Sequence, residues 1–168
     1  MLYRKLGQTG IDVSVIALGC WPFAGGGYWG EQDDQASIAT VHAALDAGIN
    51  FFDTAEGYGR GHSERVLGEG LKGRRHQAVI ATKVSASHLS AEGVAQACEG
   101  RLANLQTDYI DLYQIHWPNW TIPLAETVEA QAKLKRLGKI RAIGVSNFAV
   151  QDLGDILALA PPLTPPRT

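Results

Sequence analysis

Five short apolar runs alternate with amphipathic segments along this chain of 168 residues, and this alternation is the strongest constraint on its fold. The apolar runs span residues 15–19, 49–52, 78–82, 110–115 and 140–145. Each run is followed by apolar residues at helical spacing, as Ile38, Val41 and Leu45 follow the first. Strands that alternate with helices in this way form parallel sheets with right-handed crossovers. We therefore predict an α/β fold, with an antiparallel hairpin over residues 2–13 and then about five parallel β/α units.

The segments between the runs contain the signals with which helices begin and end. Asp33 or Asp34, Ser63 and Ser90 have side-chain oxygens that can cap the amino-terminal ends of three helices. Gly48 is placed to end the first of these helices, since glycine readily adopts the left-handed backbone found there. These signals predict where the helices lie but not how they pack.

Composition and charge argue against several classes of function. The formal net charge is −2 and the basic residues are dispersed, so we expect no binding to nucleic acid. No apolar run approaches the roughly 20 residues that cross a membrane, and we expect no membrane association. Cys20 and Cys98 lie far apart and the five histidines are scattered, without the spacing of a metal site. We therefore expect no metal, free thiols and a cytoplasmic location.

Four polar residues lie at or just beyond the carboxyl ends of predicted strands. They are Asp53, Tyr58, Lys83 and His116. Taken singly, they could be a turn cap, a loop aromatic that covers the core, a surface lysine and a hydrogen-bonded histidine. All strands of a parallel β/α sheet end on one face, where such folds build their active sites. The sequence therefore predicts that a carboxylate, a phenol, an ammonium group and an imidazole meet there, and this conjunction favours catalysis.

This combination of groups suits the reduction of a carbonyl. Hydride transfer to a carbonyl carbon leaves an alkoxide, so a proton donor must reach the oxygen as the hydride arrives. Tyr58 can donate that proton, and Lys83 can stabilise the phenolate that remains. Asp53 can keep the ammonium group charged and aimed. His116 can donate to the carbonyl oxygen and orient the substrate.

Long motifs around these residues resemble the aldo-keto reductases in order and spacing. The matching segments are Gly48–Gly59, Ser63–Glu64, Ala81–Lys83, Asp108–Pro118 and Gly138–Phe148. The resemblance implies a partial TIM (β/α)8 barrel that reduces an aldehyde or ketone with NADPH. It implies that Tyr58 is the general acid, with Asp53, Lys83 and His116 in support.

The resemblance also implies binding residues outside this quartet. Ser146 and Asn147 match the family positions that hydrogen-bond the nicotinamide carboxamide of the cofactor. Trp21, Trp29 and Trp117 fall in loops that line the family's substrate pocket, although loop tryptophans are often simple packing residues.

The resemblance extends from the hairpin to about Ala160, which supplies five of the eight units of a closed barrel. We expect an incomplete barrel domain over residues 1–160 and a proline-rich frayed tail over residues 161–168. In the family, most residues that bind the cofactor come later, so we expect most of the cofactor site to be absent. Unpaired edges on the first and fifth strands would then favour self-association. The alternative function is that of an inactive truncated fragment or an interaction subunit.

Two other enzyme classes share single features with the chain. Gly25–Gly30 satisfies the glycine pattern of dinucleotide-binding folds, and Asp53 follows at the spacing of a ribose-binding acid. The preceding strand ends near Gly19, however, and the bulky Tyr28 would obstruct a pyrophosphate. A Schiff-base aldolase could use Lys83 as its nucleophile, but Asp53 would hold this lysine protonated.

Overall fold

A computed structural model describes residues 1–159, in which seven β-strands and six α-helices occur. The strands are β1 (Tyr3–Lys5), β2 (Asp12–Ser14), β3 (Ala17–Gly19), β4 (Phe51–Asp53), β5 (Val79–Val84), β6 (Ile110–Ile115) and β7 (Ile140–Val145). The helices are α1 (Gly26–Trp29), α2 (Asp34–Asp46), α3 (His62–Gly70), α4 (Ala91–Leu105), α5 (Leu124–Arg136) and α6 (Val150–Leu159). The tail expected over residues 161–168 lies outside the described residues.

The strands form a hairpin and one parallel sheet. β1 pairs with β2 in an antiparallel arrangement, and the other five strands lie side by side in chain order, β3-β4-β5-β6-β7. Within residues 1–159, β3 and β7 are the end strands, and each pairs with one neighbour. A sheet that grows by one strand at each β/α step is the partial barrel expected from the alternating pattern. The predicted α/β architecture is therefore confirmed.

The sheet has a separate apolar cluster on each face. The larger cluster packs the helices against the sheet around Phe52, Ile80 and Tyr113, which are fully buried. A smaller cluster on the other face joins Ile11 and Val13 of the hairpin segment to residues of β5, β6 and β7. The hairpin therefore covers the inner face of the curved sheet.

Asn50, just before β4, fixes the hairpin at the amino-terminal ends of the strands. Its side-chain oxygen accepts a hydrogen bond from the Ser14 backbone N–H at 2.7 Å, and its side-chain amide donates to the Asp12 carbonyl at 3.0 Å. The opposite, carboxyl-terminal ends are therefore left to the loops that carry the polar residues.

Two of the predicted helix caps are confirmed and one is wrong. The Asp33 side chain accepts a hydrogen bond from the Gln35 N–H at 2.8 Å, and the Ser90 hydroxyl accepts from the Gly93 N–H at 3.1 Å. Ser63, by contrast, lies inside α3 and is completely buried.

The Ser63 hydroxyl is used for tertiary structure. It donates to the Cys20 carbonyl at 2.6 Å and lies 2.9 Å from the Thr54 hydroxyl. Gly61, with a left-handed backbone (φ +80°), occupies the capping position instead. Ser63 therefore ties α3 to the loops that follow β3 and β4.

Strand boundaries follow the apolar runs unevenly. β6 and β7 coincide with the predicted runs, whereas β3 begins two residues late because the backbone bends at Val15 and Ile16, between β2 and β3. β5 continues to Val84, so Lys83 lies one residue before the end of the strand. The glycine-rich loop after β3 also contains the short helix α1, which the pattern did not predict.

Within residues 1–159, no helix is long and apolar enough to cross a membrane. The same residues contain no group of histidine, cysteine and acidic side chains that could hold a metal ion. Cys20 and Cys98 are both buried, unpaired thiols.

Candidate active site

The ammonium group of Lys83 is the centre of the polar cluster at the carboxyl ends of the strands. Its Nζ donates to Asp53 Oδ1 at 2.7 Å, to the Thr54 carbonyl at 2.8 Å and to Tyr58 Oη at 3.4 Å. An ammonium group has three N–H donors, and each of them has a partner here. Lys83 is 5% exposed, whereas the side chain of its partner Asp53 is 37% exposed.

The sheet register explains why these groups meet. Asp53 at the end of β4 is aligned with Ala81 of β5, and Lys83 lies two residues beyond Ala81. Residues two apart on a strand point to the same face. The lysine side chain therefore lies next to the carboxylate and below the loop that follows β4.

Tyr58 lies in that loop, and its ring is enclosed by aromatic neighbours. The Trp21 ring stacks on it with centroids 5.7 Å apart and planes at 22°, and the His116 ring meets it edge-on at 5.8 Å. The loop reverses direction through Gly59, whose φ is +61°. A Cβ on Gly59 would come within 3.2 Å of Ala24, so the close approach of these two loops needs a glycine.

His116 follows β6, and its backbone N–H donates to the Val84 carbonyl at 3.0 Å, which brings it beside the end of β5. Burial and then the positive charge of Lys83 lower the pKa of His116, with a smaller opposing effect from Asp53. A lowered pKa favours the neutral imidazole, which keeps one N–H donor and one acceptor nitrogen. The four predicted catalytic residues are therefore brought together at the carboxyl ends of β4, β5 and β6.

Ser146 and Asn147 lie next to this group, directly after β7. The Ser146 N–H donates to the Ile115 carbonyl at 2.8 Å. The Asn147 side-chain amide donates to the His116 carbonyl at 2.8 Å and to the Ser146 hydroxyl at 3.0 Å. Asn147 has a left-handed backbone (φ +59°), a conformation that asparagine tolerates better than most residues. This turn holds both side chains beside the backbone of His116.

An aromatic wall, formed by Trp21, Tyr28 and Trp29, flanks the phenol. Trp21 stacks with Tyr28 at 4.8 Å and meets Trp29 edge-on at 5.4 Å. Trp117 lies apart from it, next to the His116 ring at 6.5 Å, and is 55% exposed. Of the three predicted tryptophans, Trp21 and Trp29 therefore share one wall, and Trp117 lies against the His116 ring instead.

Sequence analysis missed Tyr28 as part of this wall and treated it only as an obstacle to a phosphate. Its ring is 75% exposed beyond its contacts with the tryptophans. The neighbouring Trp29 was the only available signal, because aromatic residues adjacent in a short loop often share a surface.

Sequence analysis also missed an ionic network behind the site. Arg101 of α4 lies between two carboxylates, with Nε 2.7 Å from Glu64 Oε2 and Nη1 3.1 Å from Glu56 Oε1. Glu64 is fully buried and accepts a hydrogen bond from the Thr82 hydroxyl at 2.6 Å. Burial raises the pKa of Glu64, and Arg101 and the Thr82 hydrogen bond oppose this effect. Both acids lie inside the matching motifs, but their long-range partner Arg101 does not.

Comparison with known proteins places the chain in a family. The model of the aldo/keto reductase family matches residues 15–164. The chain is 44% identical to the aldo-keto reductase YhdN of Bacillus subtilis, over 96% of this chain and 51% of that protein. It is 37% identical to the NADH-specific methylglyoxal reductase of Escherichia coli, over 90% of this chain and 54% of that protein.

A solved structure gives the same result for the fold. An aldo-keto reductase from Klebsiella pneumoniae in complex with NADPH matches with a TM-score of 0.84 and 38% identity, over 95% of this chain and 55% of that one. The chain spans about half the length of the curated relatives it matches. The family model nevertheless covers most of this chain, from β3 to beyond α6, and the chain belongs to the aldo/keto reductase family.

Proposed function

We propose that this chain reduces an aldehyde or ketone to an alcohol by hydride transfer from NADPH, with Tyr58 as the general acid. The observation that supports this most strongly is the position of the Lys83 ammonium group, between the carboxylate of Asp53 and the phenol of Tyr58. A buried lysine whose Nζ contacts both a carboxylate and a tyrosine hydroxyl is suited to support proton delivery by that tyrosine.

The proton transfer follows from these contacts. As hydride adds to the carbonyl carbon, negative charge develops on the carbonyl oxygen, and the Oη–H bond of Tyr58 breaks to form the O–H bond of the alcohol. The phenolate left behind is stabilised by Lys83 Nζ, 3.4 Å away. Asp53 holds the ammonium group in place, and solvent then returns a proton to Tyr58.

His116 has a different part in this proposal. Because its pKa is lowered, the ring is mainly neutral near pH 7 and can donate one hydrogen bond to the carbonyl oxygen. A neutral ring also avoids a second positive charge next to Lys83. We therefore assign His116 to orienting the substrate, and Tyr58 to giving the proton.

The residues after β7 fit the carboxamide of a nicotinamide. When bound, the nicotinamide supplies the hydride. A carboxamide needs one hydrogen-bond donor and one acceptor from the protein, and Ser146 and Asn147 provide a hydroxyl and an amide oxygen. The Asn147 amide nitrogen already donates within the chain, so its orientation is fixed by its own turn. We propose that these two residues hold the carboxamide.

We propose small carbonyl compounds as substrates, because the relative in Escherichia coli is named for methylglyoxal. We propose that the substrate site is lined by Trp21, Trp29 and Trp117. Trp21 stacks on the phenol and contacts Trp29, and Trp117 lies beside the imidazole. NADPH is proposed because the Klebsiella pneumoniae relative binds it, while the Escherichia coli relative is NADH-specific. The two buried free thiols are compatible with a reducing cytoplasm, where we propose the chain acts.

Replacement of the Tyr58 hydroxyl tests this function. The reduction of methylglyoxal is monitored through the oxidation of NADPH, and in a parallel assay through the oxidation of NADH. Tyr58→Phe is expected to lower kcat about 10²- to 10⁴-fold, the usual contribution of a general acid. Tyr109→Phe is the matched control, because Tyr109 packs against Arg75 away from the site. Equal turnover in Tyr58→Phe and the control would contradict the assignment.

The alternative role as an interaction subunit rests on the end strands β3 and β7, each paired on one side within residues 1–159. Exposed strand edges favour pairing with other chains. Sedimentation velocity over a range of protein concentrations tests self-association independently of activity. A concentration-independent monomer would contradict it.

A further inference from the structure

The loop that follows β4 is joined to β5 at three successive points. The Thr54 N–H donates to the Ala81 carbonyl at 2.9 Å, and the Glu56 N–H donates to the Lys83 carbonyl at 3.2 Å. The third bond differs in kind, because the Ser85 N–H donates to the Glu56 side chain, at Oε2, over 2.8 Å. In a parallel pair of strands, the backbone N–H groups of one strand normally donate to backbone carbonyls of the other. Here a carboxylate substitutes for a carbonyl, and the loop backbone turns away after residue 56.

The Glu56 carboxylate is fixed from the other side as well. Oε1 lies 3.1 Å from Arg101 Nη1 on α4 and 2.6 Å from His88 Nδ1 in the turn after β5. The Glu56 side chain is only 13% exposed. One carboxylate therefore joins the loop that carries Tyr58 to β5, α4 and the turn at His88.

We propose that Glu56 is a positioning residue, whose carboxylate sets the distance between the Tyr58 phenol and the Lys83 ammonium group. Tyr58 lies two residues after Glu56, and Lys83 lies two residues before Ser85, so the carboxylate joins the two segments that bear the reacting groups. The inference rests on the proposed function, because it assigns this contact a purpose in proton transfer.

The distance between Tyr58 and Lys83 explains why the loop needs the support of Glu56. Tyr58 Oη and Lys83 Nζ are 3.4 Å apart, near the outer limit of a hydrogen bond. If the loop moves further from β5, the hydrogen bond between Tyr58 and Lys83 is lost. Displacements of about 1 Å at reacting groups can cost about 10²-fold in rate. Asp53 and Thr54 hold the Lys83 ammonium group without help from Tyr58. The part of the loop that carries Tyr58 is therefore the part that requires support.

The test compares Glu56→Ala, Glu56→Gln and the control Glu69→Ala. Glu69 is a partly exposed acid on α3 that accepts a hydrogen bond from the Gln106 side chain at 2.6 Å and lies 4.0 Å from Lys72, away from the loop that carries Tyr58. In Glu56→Ala, kcat for methylglyoxal is expected to fall about 10- to 100-fold while the KM and the NADPH Kd stay within about twofold of wild type. Glu56→Gln retains an acceptor for the Ser85 N–H and is expected to recover most of the loss. Glu69→Ala is expected to behave as wild type.

Hydrogen–deuterium exchange provides a readout that does not depend on activity. In Glu56→Ala, backbone amides of residues 54–61 and 85–88 are expected to exchange faster, while those of residues 110–115 are unchanged. Faster exchange throughout the chain with a lower Tm would show a general structural role and overturn the proposal. Unchanged exchange, or an unchanged kcat in an active enzyme, would also overturn it. If wild type reduces no carbonyl, the proposed function fails, and exchange alone decides whether Glu56 holds the loop.

Discussion

Replacement of Lys83 by methionine removes the charge that the proposed mechanism requires and keeps a chain of similar length. Between unit charges 3.4 Å apart, the attraction is about 1.2 kcal/mol in water and about 5 kcal/mol at an effective dielectric constant of about 20. Lys83 is almost fully buried, which favours the larger figure, whereas Asp53 at 2.7 Å neutralises part of the charge.

An intermediate loss of about 3 kcal/mol in transition-state stabilisation is therefore expected in Lys83→Met. Since about 1.4 kcal/mol corresponds to a tenfold change in rate, kcat should fall about 10²-fold. The assay is turnover of a saturating aldehyde at saturating NADPH, together with urea unfolding of each variant. Lys83→Arg keeps the charge but has a different shape, and its kcat is expected to lie between those of wild type and Lys83→Met.

The reasoning behind this prediction is open to direct contradiction. A folded Lys83→Met that binds NADPH and loses less than about tenfold in kcat would show that the ammonium group does not stabilise the phenolate. Covalent trapping of a carbonyl substrate on Lys83 by borohydride would instead support Schiff-base chemistry.

Three further predictions concern stability. Arg101→Met leaves the buried Glu64 carboxylate without its cation, so the free energy of unfolding in urea is expected to fall by about 3–5 kcal/mol. Adding Glu64→Gln to this variant should recover part of that loss, and an equal or larger loss in the double variant would contradict the pairing. Because the pKa of His116 is lowered on folding, the unfolded chain binds more protons below pH 6.5. The stability from this group is present above pH 6.5 and is lost as the pH falls through the lowered value. His116→Gln should therefore flatten the decline in unfolding free energy on acidification, and an unchanged slope would exclude this cause. Gly61→Ala should destabilise by about 1–3 kcal/mol, because its Cβ would meet the Asn104 amide in a left-handed backbone, and an unchanged Tm would refute this strain.

The sequence was most informative where local pattern and burial agree. The runs at 110–115 and 140–145 coincide with β6 and β7, and each of these strands begins and ends on an apolar residue. Asp53, Lys83 and His116 could be placed on one face because all parallel strands end there. The contact of Asp53 Oδ1 with Lys83 Nζ at 2.7 Å depends on β4 and β5 being neighbours and on the alignment of Asp53 with Ala81.

Features that depend on long-range contacts could not be predicted in this way. Ser63 has the chemistry of a helix cap, but its hydroxyl donates a hydrogen bond to the Cys20 carbonyl, 43 positions away in sequence. Arg101 lies at helical spacing from the buried Val94, Cys98 and Leu105 of α4, but the local sequence does not show that it pairs with acids from two other segments. Nothing in the local sequence of Glu56 shows that its carboxylate accepts the Ser85 N–H.

Binding of NADPH to the purified 168-residue chain tests the central claim most directly, because the proposed reduction requires this cofactor at the carboxyl ends of the strands. Nicotinamide fluorescence is followed as NADPH is titrated into wild type, Asn147→Ala and the control Glu69→Ala. The proposed function predicts saturable binding by wild type and the control, and weaker binding by Asn147→Ala. Absence of binding by wild type at near-millimolar NADPH would contradict the proposed function. Equal affinity of all three proteins for NADPH would contradict the assigned contact between Asn147 and the carboxamide.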